Sequence, residues 1–171
     1  MMKKIIAFML SVMLALSFTA CGSKKSAEEF TLDEVTADQV SVGIHAYDED
    51  LEEDFVYVMF KGPDGNEYGC LIDTYEEDSD ITCGVVEKTD NETDDEGIEY
   101  NMYDVYDAFT GDEYSFGYSK VDDKTGYIMD ASYTGYKGEI ISGEEAVKYL
   151  KNAQKAVEAL AAEMESSEEA E

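Results

Sequence analysis

Apolar and polar residues alternate with a period of two along most of the chain after residue 40. Val40, Val42 and Ile44 alternate with small or polar residues, whereas every position in the run 55–60 is apolar. Alternation of this kind predicts half-buried strands, and a run that is apolar on both faces predicts a central strand. Clusters of Gly, Asp, Asn and Pro, such as the one at 62–66, separate the runs and predict tight turns.

The pattern predicts seven strands, or eight if residues 136–141 form one. Because all the connections are short, neighbouring strands can only pair antiparallel, which gives an up-and-down meander. One phase change interrupts the alternation: Tyr100 and Met102 mark one face, and Tyr103 and Val105 continue on the other. We expect a β-bulge near Met102 that bends the strand and curls the sheet.

The last part of the chain changes to a helical period. Ser142 and Glu145 are spaced as a capping box, and apolar residues follow at helical spacing to about residue 165. Thr31 and Glu34 have the same spacing and predict a short helical turn before the first strand. The fold class is therefore mainly β: a curled, barrel-like antiparallel meander of seven or eight strands with a C-terminal amphipathic helix packed on it.

The N-terminus has the pattern of an export signal. Lys3 and Lys4 precede an apolar run at 5–18 that is too short to span a bilayer. The run ends in Phe-Thr-Ala-Cys, which resembles the lipobox of bacterial lipoproteins. The resemblance implies cleavage before Cys21 and a diacylglycerol thioether on its sulfur, usually with a further acyl chain such as palmitate on its amine. The alternative is a secreted, unlipidated protein in which Cys21 has no special role.

These signals divide the chain into four parts. Residues 1–20 are the signal peptide, and 21–29 form a lipidated tether. Residues 30–165 form a single β domain with its helix, and 166–171 are an acidic tail. We expect a protein held at the bacterial cell membrane through Cys21, facing the exterior or the periplasm.

The charge of the chain restricts its partners. All 12 basic residues are lysines, and 41 residues are acidic. Loss of Lys3 and Lys4 with the signal peptide leaves a formal net charge of −31. Such a field repels phosphates, so a nucleic acid is excluded as a partner, whereas cations and basic proteins remain open.

Catalytic motifs are missing from the sequence. A hydrolytic triad usually needs a histidine base, and the only one, His45, falls on the polar side of a strand pattern, where we expect it to face solvent. Neither a GxSxG motif nor a phosphate-binding glycine loop occurs. We therefore expect a protein that is not an enzyme, with a carboxylate-based hydrolase as the least favoured reading.

Two acidic loops are candidates for calcium binding. In a meander, alternate loops lie at the same end of the sheet, so the loops at 48–54 and 76–80 should lie together and the loop at 90–96 at the opposite end. Calcium prefers several oxygen ligands, but no calcium-loop motif is present. We favour the interpretation that these loops are solvated and bind no ion. No cofactor other than calcium is considered for this chain. The candidate ligands are Asp48, Asp50, Asp54, Glu76, Glu77 and Asp78.

The tyrosines are candidates for a ligand surface. The chain has 13 tyrosines and no tryptophan. Tyrosine offers an apolar ring and a hydroxyl, and it is common at binding surfaces, although most of these residues are expected to cover the sheet. The candidates are Tyr100, Tyr103 and Tyr106 in one group, and Tyr127, Tyr133 and Tyr136 in the other.

A disulfide is predicted between Cys70 and Cys83. Facing residues of an antiparallel hairpin have a constant sum of residue numbers, so this pair also places Ile72 opposite Ile81. The same register leaves a four-residue loop at 75–78, which is a common hairpin length. The exported location permits oxidation, and a pair of buried reduced thiols is the alternative.

The sequence thus favours a membrane-anchored lipoprotein whose acidic β domain binds a small-molecule ligand or a protein partner without catalysis. The alternative is a structural or divalent-cation-binding envelope protein. A deep tyrosine-lined cavity would favour ligand binding, and a filled barrel would favour a structural or protein-binding role.

Overall fold

A computed structural model describes residues 31–48, 53–75, 78–108 and 111–168. Within these residues the chain forms nine strands, two short 3-10 helices at Leu32–Glu34 and Ala37–Gln39, and one α-helix, α1, at Gly143–Glu168. The strands are β1 Val40–Asp48, β2 Glu53–Lys61, β3 Glu67–Tyr75, β4 Asp78–Lys88, β5 Glu92–Thr93, β6 Glu99–Asp107, β7 Glu113–Lys120, β8 Thr125–Met129 and β9 Gly135–Ile140.

Several predictions fall outside the described residues. They are the signal peptide, Cys21 and the tether, together with three candidate calcium ligands, Asp50, Glu76 and Glu77. No helix in the described part of the chain is long and apolar enough to cross a membrane.

The strands form a closed antiparallel barrel. Consecutive strands pair from β1 to β4 and from β5 to β9, β1 also pairs with β9, and β4 pairs with β6. These pairings join eight of the nine described strands into a ring, and β5 adds a short extension on the edge of β6. The meander predicted from the short connections is confirmed. Closure leaves no long exposed strand edge in this ring.

The two ends of the barrel differ. The end where β1 and β3 finish, here called the acidic end, carries the strand termini that flank both predicted acidic loops, as expected from the meander. The opposite end, where β1 and β3 begin, is here called the mouth. The loop at 90–96 lies at the mouth, also as expected, because it joins the end of β4 to the start of β6.

The barrel interior holds one apolar cluster. Its buried members come from strands on opposite sides of the ring, so they meet across the interior. In β2, alternate residues belong to this cluster and the others pack outside the barrel, which explains why 55–60 is apolar throughout. The interior residues are Ile44, Ala46, Phe55, Tyr57, Met59, Leu71, Tyr103, Val105, Phe116 and Ile128.

A second core lies outside the barrel, under α1. Leu150 of the helix is fully buried against the outer faces of β2, β3 and β4, so the helix covers the barrel wall. Gly43 allows close approach, because a Cβ there would lie 3.3 Å from the Cβ of Ala146. The helix begins as predicted, since the Ser142 hydroxyl accepts a hydrogen bond from the Glu145 N–H at 3.2 Å.

The chain before β1 runs along the helix and is tied to it. The first 3-10 helix begins as predicted, where the Thr31 N–H donates to the Glu34 carboxylate at 3.2 Å. The Leu32 N–H donates to the side-chain carbonyl of Gln154 in the middle of α1, at 3.1 Å. This segment and the helix thereby close the outer core together.

The predicted bulge near Met102 is wrong. β6 and β7 pair without a register shift from Asn101 to Tyr106. The apolar phase changes because Met102 packs in a small cluster outside the barrel, whereas Tyr103 faces the interior. The outer face of β6 is buried near the start of the strand and the inner face further along it. The apolar residues therefore change phase without any register shift. The register shift that the structure contains lies in β1, between Val40 and Val42.

Candidate functional site

Cys70 and Cys83 face each other in the structure. The register of β3 and β4 is the predicted one, and it pairs Ile72 with Ile81. The Cα atoms of the two cysteines are 4.1 Å apart and their sulfurs are bonded. Both residues are fully buried in the outer core that α1 covers. The bond therefore staples the β3–β4 hairpin beneath the helix.

The candidate tyrosines do not form the two predicted groups. Tyr103 lies inside the barrel, whereas Tyr100 packs outside it and donates its hydroxyl to Asp94 at 3.0 Å. Tyr106 is exposed on the outer wall. The first predicted group is split because successive positions of a strand point to opposite faces.

The second tyrosine group is divided in the same way. Tyr127 packs outside the barrel, next to Tyr100. Tyr136 packs against the interior cluster and stacks on Phe55, with ring centroids 4.2 Å apart. Tyr133 is exposed in the β8–β9 turn, in a left-handed conformation with φ 63°.

The acidic candidates do not form a metal centre in the described part of the chain. No group of three side chains that could hold a metal ion occurs there. Of the candidates, Asp54 instead binds His45, with Oδ1 2.5 Å from Nε2. Asp48 is the last residue of β1 and Asp78 is the first residue of β4, and both lie at the acidic end, as expected for a meander.

His45 is more enclosed than the sequence suggested. It lies on the outer wall as expected, but α1 partly covers it, and its ring centroid is 5.5 Å from that of Tyr149. Its side chain is 31% exposed and contacts the Asp54 carboxylate. The alternation placed His45 on the correct face, but it could not show that a helix from the end of the chain covers that face.

An open cavity of about 690 Å3 lies at the mouth. It is lined by the start of β1, the start of β6 and the end of β7. β1 and β6 are on opposite sides of the eight-membered ring, so a cavity that touches both lies across the mouth. Its lining residues are Ser41, Val42, Asn91, Gly97, Ile98, Glu99, Asn101, Tyr118, Ser119, Lys120 and Val121.

One interior tyrosine lines the cavity and two more lie behind it. Tyr118 lines it and stacks on Tyr103 with nearly parallel rings, centroids 6.1 Å apart. Tyr57 packs on Tyr118 from further inside, at 5.7 Å. Tyr57 is fully buried, and its hydroxyl has no hydrogen-bond partner among the described residues.

The phenols of Tyr57 and Tyr103 remain protonated at neutral pH. Burial raises the pKa of Tyr57 well above its usual value, and the neighbouring Tyr103 and Tyr118 raise it further. Burial, followed by the interaction with Tyr118, raises the pKa of Tyr103 to about 12. The inner wall of the cavity therefore offers neutral rings and O–H donors.

Some of the polar groups around the cavity form hydrogen bonds or ion pairs. Lys88 donates to the Asn101 side-chain carbonyl at 3.4 Å, and the Asn91 amide donates to Glu99 at 2.8 Å. Lys120 is half exposed and lies 4.0 Å from Asp123. The mouth thus combines the ring of Tyr118 and the apolar side chains of Val42, Ile98 and Val121 with a larger set of polar groups of both charges.

Sequence reasoning missed this cavity. The sequence predicts that Tyr57 lies in the central strand at 55–60. The alternation shows the face of each residue within its own strand, but only closure of the ring brings β1, β2, β6 and β7 around one opening.

Comparison with known proteins gives no relative for this fold and site. No protein-family model matches the chain, and neither a curated protein nor a solved structure is significantly similar to it.

Proposed function

We propose that the protein is an exported lipoprotein, cleaved before Cys21 and anchored through it, whose barrel binds a small-molecule ligand at its mouth without catalysis. The cavity at the mouth is the observation that carries the ligand-binding part. The lipobox-like sequence before Cys21 supports the anchor. The short polar tether then places the barrel close to the membrane surface.

The filled interior favours a structural or protein-binding role over a ligand in the centre of the barrel, so a small-molecule site is confined to the mouth. Small eight-stranded barrels are often filled by side chains or hold one small ligand. Here Phe55, Phe116 and Ile128 are buried in the interior, and Tyr57 packs on the cavity-lining Tyr118 from further inside. A ligand at the mouth would contact the ring of Tyr118 and the apolar side chains of Val42 and Ile98.

A protein partner at the acidic end is the second candidate. Tyr47, Tyr106 and Tyr133 are 53%, 49% and 58% exposed, and all three lie towards that end. Exposed tyrosines among carboxylates suit a basic protein surface. A structural or cation-binding envelope role would use the same end.

Filling the mouth tests the ligand-binding proposal. The mature chain from position 21 with Cys21→Ser lacks an acyl chain and is here called the lipid-free mature chain. Acetophenone, a small aromatic ketone, should shift the NMR methyl signals of Val42 and Ile98. Asn101→Trp should abolish those shifts, because the half-buried Asn101 lines the cavity and an indole would occupy it.

Tyr106→Trp is the matched control, since Tyr106 lies on the same strand but is exposed on the outer wall. It should leave the shifts unchanged. Equal shifts in both tryptophan variants, or no shifts in the parent chain, would remove the mouth as the binding site.

The anchor is tested separately. Cys21→Ala in the full chain should leave an uncleaved or shed protein that no longer partitions into the detergent phase. Unchanged partitioning, together with an unchanged mass of the mature N-terminus, would rule out lipidation at Cys21.

A further inference from the structure

The Tyr57 hydroxyl is a buried donor that the fold does not use. The residue is fully buried, and the hydroxyl has no hydrogen-bond partner in the described part of the chain. Buried polar groups in native proteins nearly always have partners, because an unpaired donor loses its hydrogen bonds to water and gains nothing in return. A buried tyrosine with a partner does not carry this cost. Tyr68, for example, donates its hydroxyl to Asp64 at 2.6 Å.

The hydroxyl is directed towards the mouth. Tyr57 pairs with Leu71 of β3, but its oxygen lies 3.6 Å from the position that a Cβ on Gly69 would occupy. Gly69 is closer than Leu71 to the start of β3, which lies at the mouth. The ring therefore leans along the barrel axis towards the cavity.

The side chain of Tyr118 lies between the Tyr57 ring and the cavity. Tyr118 lines the cavity and contacts the Tyr57 ring. Tyr118 is only half buried, whereas Tyr57 and Tyr103 are buried. A rotation of Tyr118 would bring a ligand atom within reach of the Tyr57 hydroxyl, and it would give up the contact of Tyr118 with Tyr103.

The surroundings favour an uncharged acceptor. Glu67 stands at the mouth end of β3 and contributes to the raised pKa of both Tyr57 and Tyr103, which indicates a negative potential at their hydroxyls. A carboxylate placed there would be repelled and would lose its hydration. A ketone, ester or amide carbonyl accepts the same hydrogen bond at a smaller cost.

We propose that the Tyr57 hydroxyl is the hydrogen-bond donor for a ligand in the mouth, and that this ligand is a small molecule with an apolar or aromatic body and an uncharged carbonyl at its inner end. This inference rests on the proposed function and specifies the class of ligand for the same site.

A pair of matched probes tests the proposal. Acetophenone and α-methylstyrene have nearly the same shape, but only the first has a carbonyl in place of a methylene group. Their affinities for the lipid-free mature chain are measured by methyl NMR titration, in the parent, in Tyr57→Phe and in Tyr68→Phe. Tyr68→Phe is the control, because it removes a hydroxyl on the outer wall.

The parent should bind the ketone about 3- to 10-fold more tightly than the hydrocarbon, the ratio that one net hydrogen bond provides. Tyr57→Phe should bring this ratio to about one, and Tyr68→Phe should preserve it. Tyr57→Phe should also fold at least as stably as the parent, since it removes an unpaired donor.

Other outcomes overturn the proposal in distinguishable ways. Equal binding of both probes to the parent would refute the carbonyl preference while leaving the mouth as a binding site. A preference that persists in Tyr57→Phe would assign the donor role to another residue. Absence of binding by either probe would remove the proposed function for aromatic ligands, and this inference with it.

Discussion

Loss of the Cys70–Cys83 disulfide should destabilise the barrel substantially. The bond joins residues 13 positions apart in sequence. If its main effect is to restrict the unfolded chain, closing a loop of this size contributes about 3 kcal/mol to the free energy of unfolding. The double variant Cys70→Ala, Cys83→Ala should lower the urea midpoint by about 1–3 M. Its melting temperature should fall by roughly 10 °C.

The burial of the two sulfurs adds a kinetic expectation. Both cysteines are fully buried in the outer core that α1 covers. Dithiothreitol should therefore reduce the native protein slowly and the urea-unfolded protein quickly. The reduced parent should then match the double variant in stability, which controls for loss of the sulfur atoms.

Alkylation with mass measurement tests whether the Cys70–Cys83 bond is present, and urea unfolding tests how much it stabilises the protein. Without prior reduction, the lipid-free mature chain should incorporate no alkyl groups, and after reduction it should incorporate two. Two alkylated cysteines in the unreduced sample would show that the bond is absent. A double variant within about 1 kcal/mol of the parent would show that the chain-entropy reasoning fails here.

Three further predictions concern other parts of the molecule. Millimolar calcium should raise the melting temperature no more than sodium at equal ionic strength; a larger rise that disappears on neutralising Glu76, Glu77 and Asp78 would establish a site. Tyr103, with its pKa raised to about 12, favours the folded state fully below the ordinary tyrosine pKa near 10 and loses this contribution as pH rises through 12. Absorbance titration at 295 nm should therefore show a late phase that coincides with alkaline unfolding, and complete ionisation near pH 10 in the folded state would contradict it. Gly43→Val should cost about 1–3 kcal/mol in urea unfolding, because a Cβ there would lie 2.9 Å from Ile141 beneath α1, and an unchanged midpoint would refute that packing.

Local patterns predicted much of this fold because each depends on residues close in sequence. The β3–β4 register followed from one hairpin, since a shift by one residue would have moved Cys70 and Ile72 to the wrong faces. The helix start at Ser142 also followed from a local signal, its spacing to Glu145.

The errors arose where distant segments meet. Met102 and Tyr103 produced an apparent slip because Met102 is covered outside the barrel while Tyr103 faces inside. The site was missed for the same reason. Tyr57 and Tyr118 are 61 residues apart in the sequence, and only closure of the barrel brings their rings together. No local period carries that information.

Native mass spectrometry of the protein, gently extracted from its own membrane, examines the anchor and the ligand together. We expect a chain that begins at Cys21 and carries acyl groups, with a non-covalently bound small molecule in the parent and in Tyr106→Trp but not in Asn101→Trp. An uncleaved or unacylated chain, or identical spectra for the parent and Asn101→Trp, would contradict this expectation.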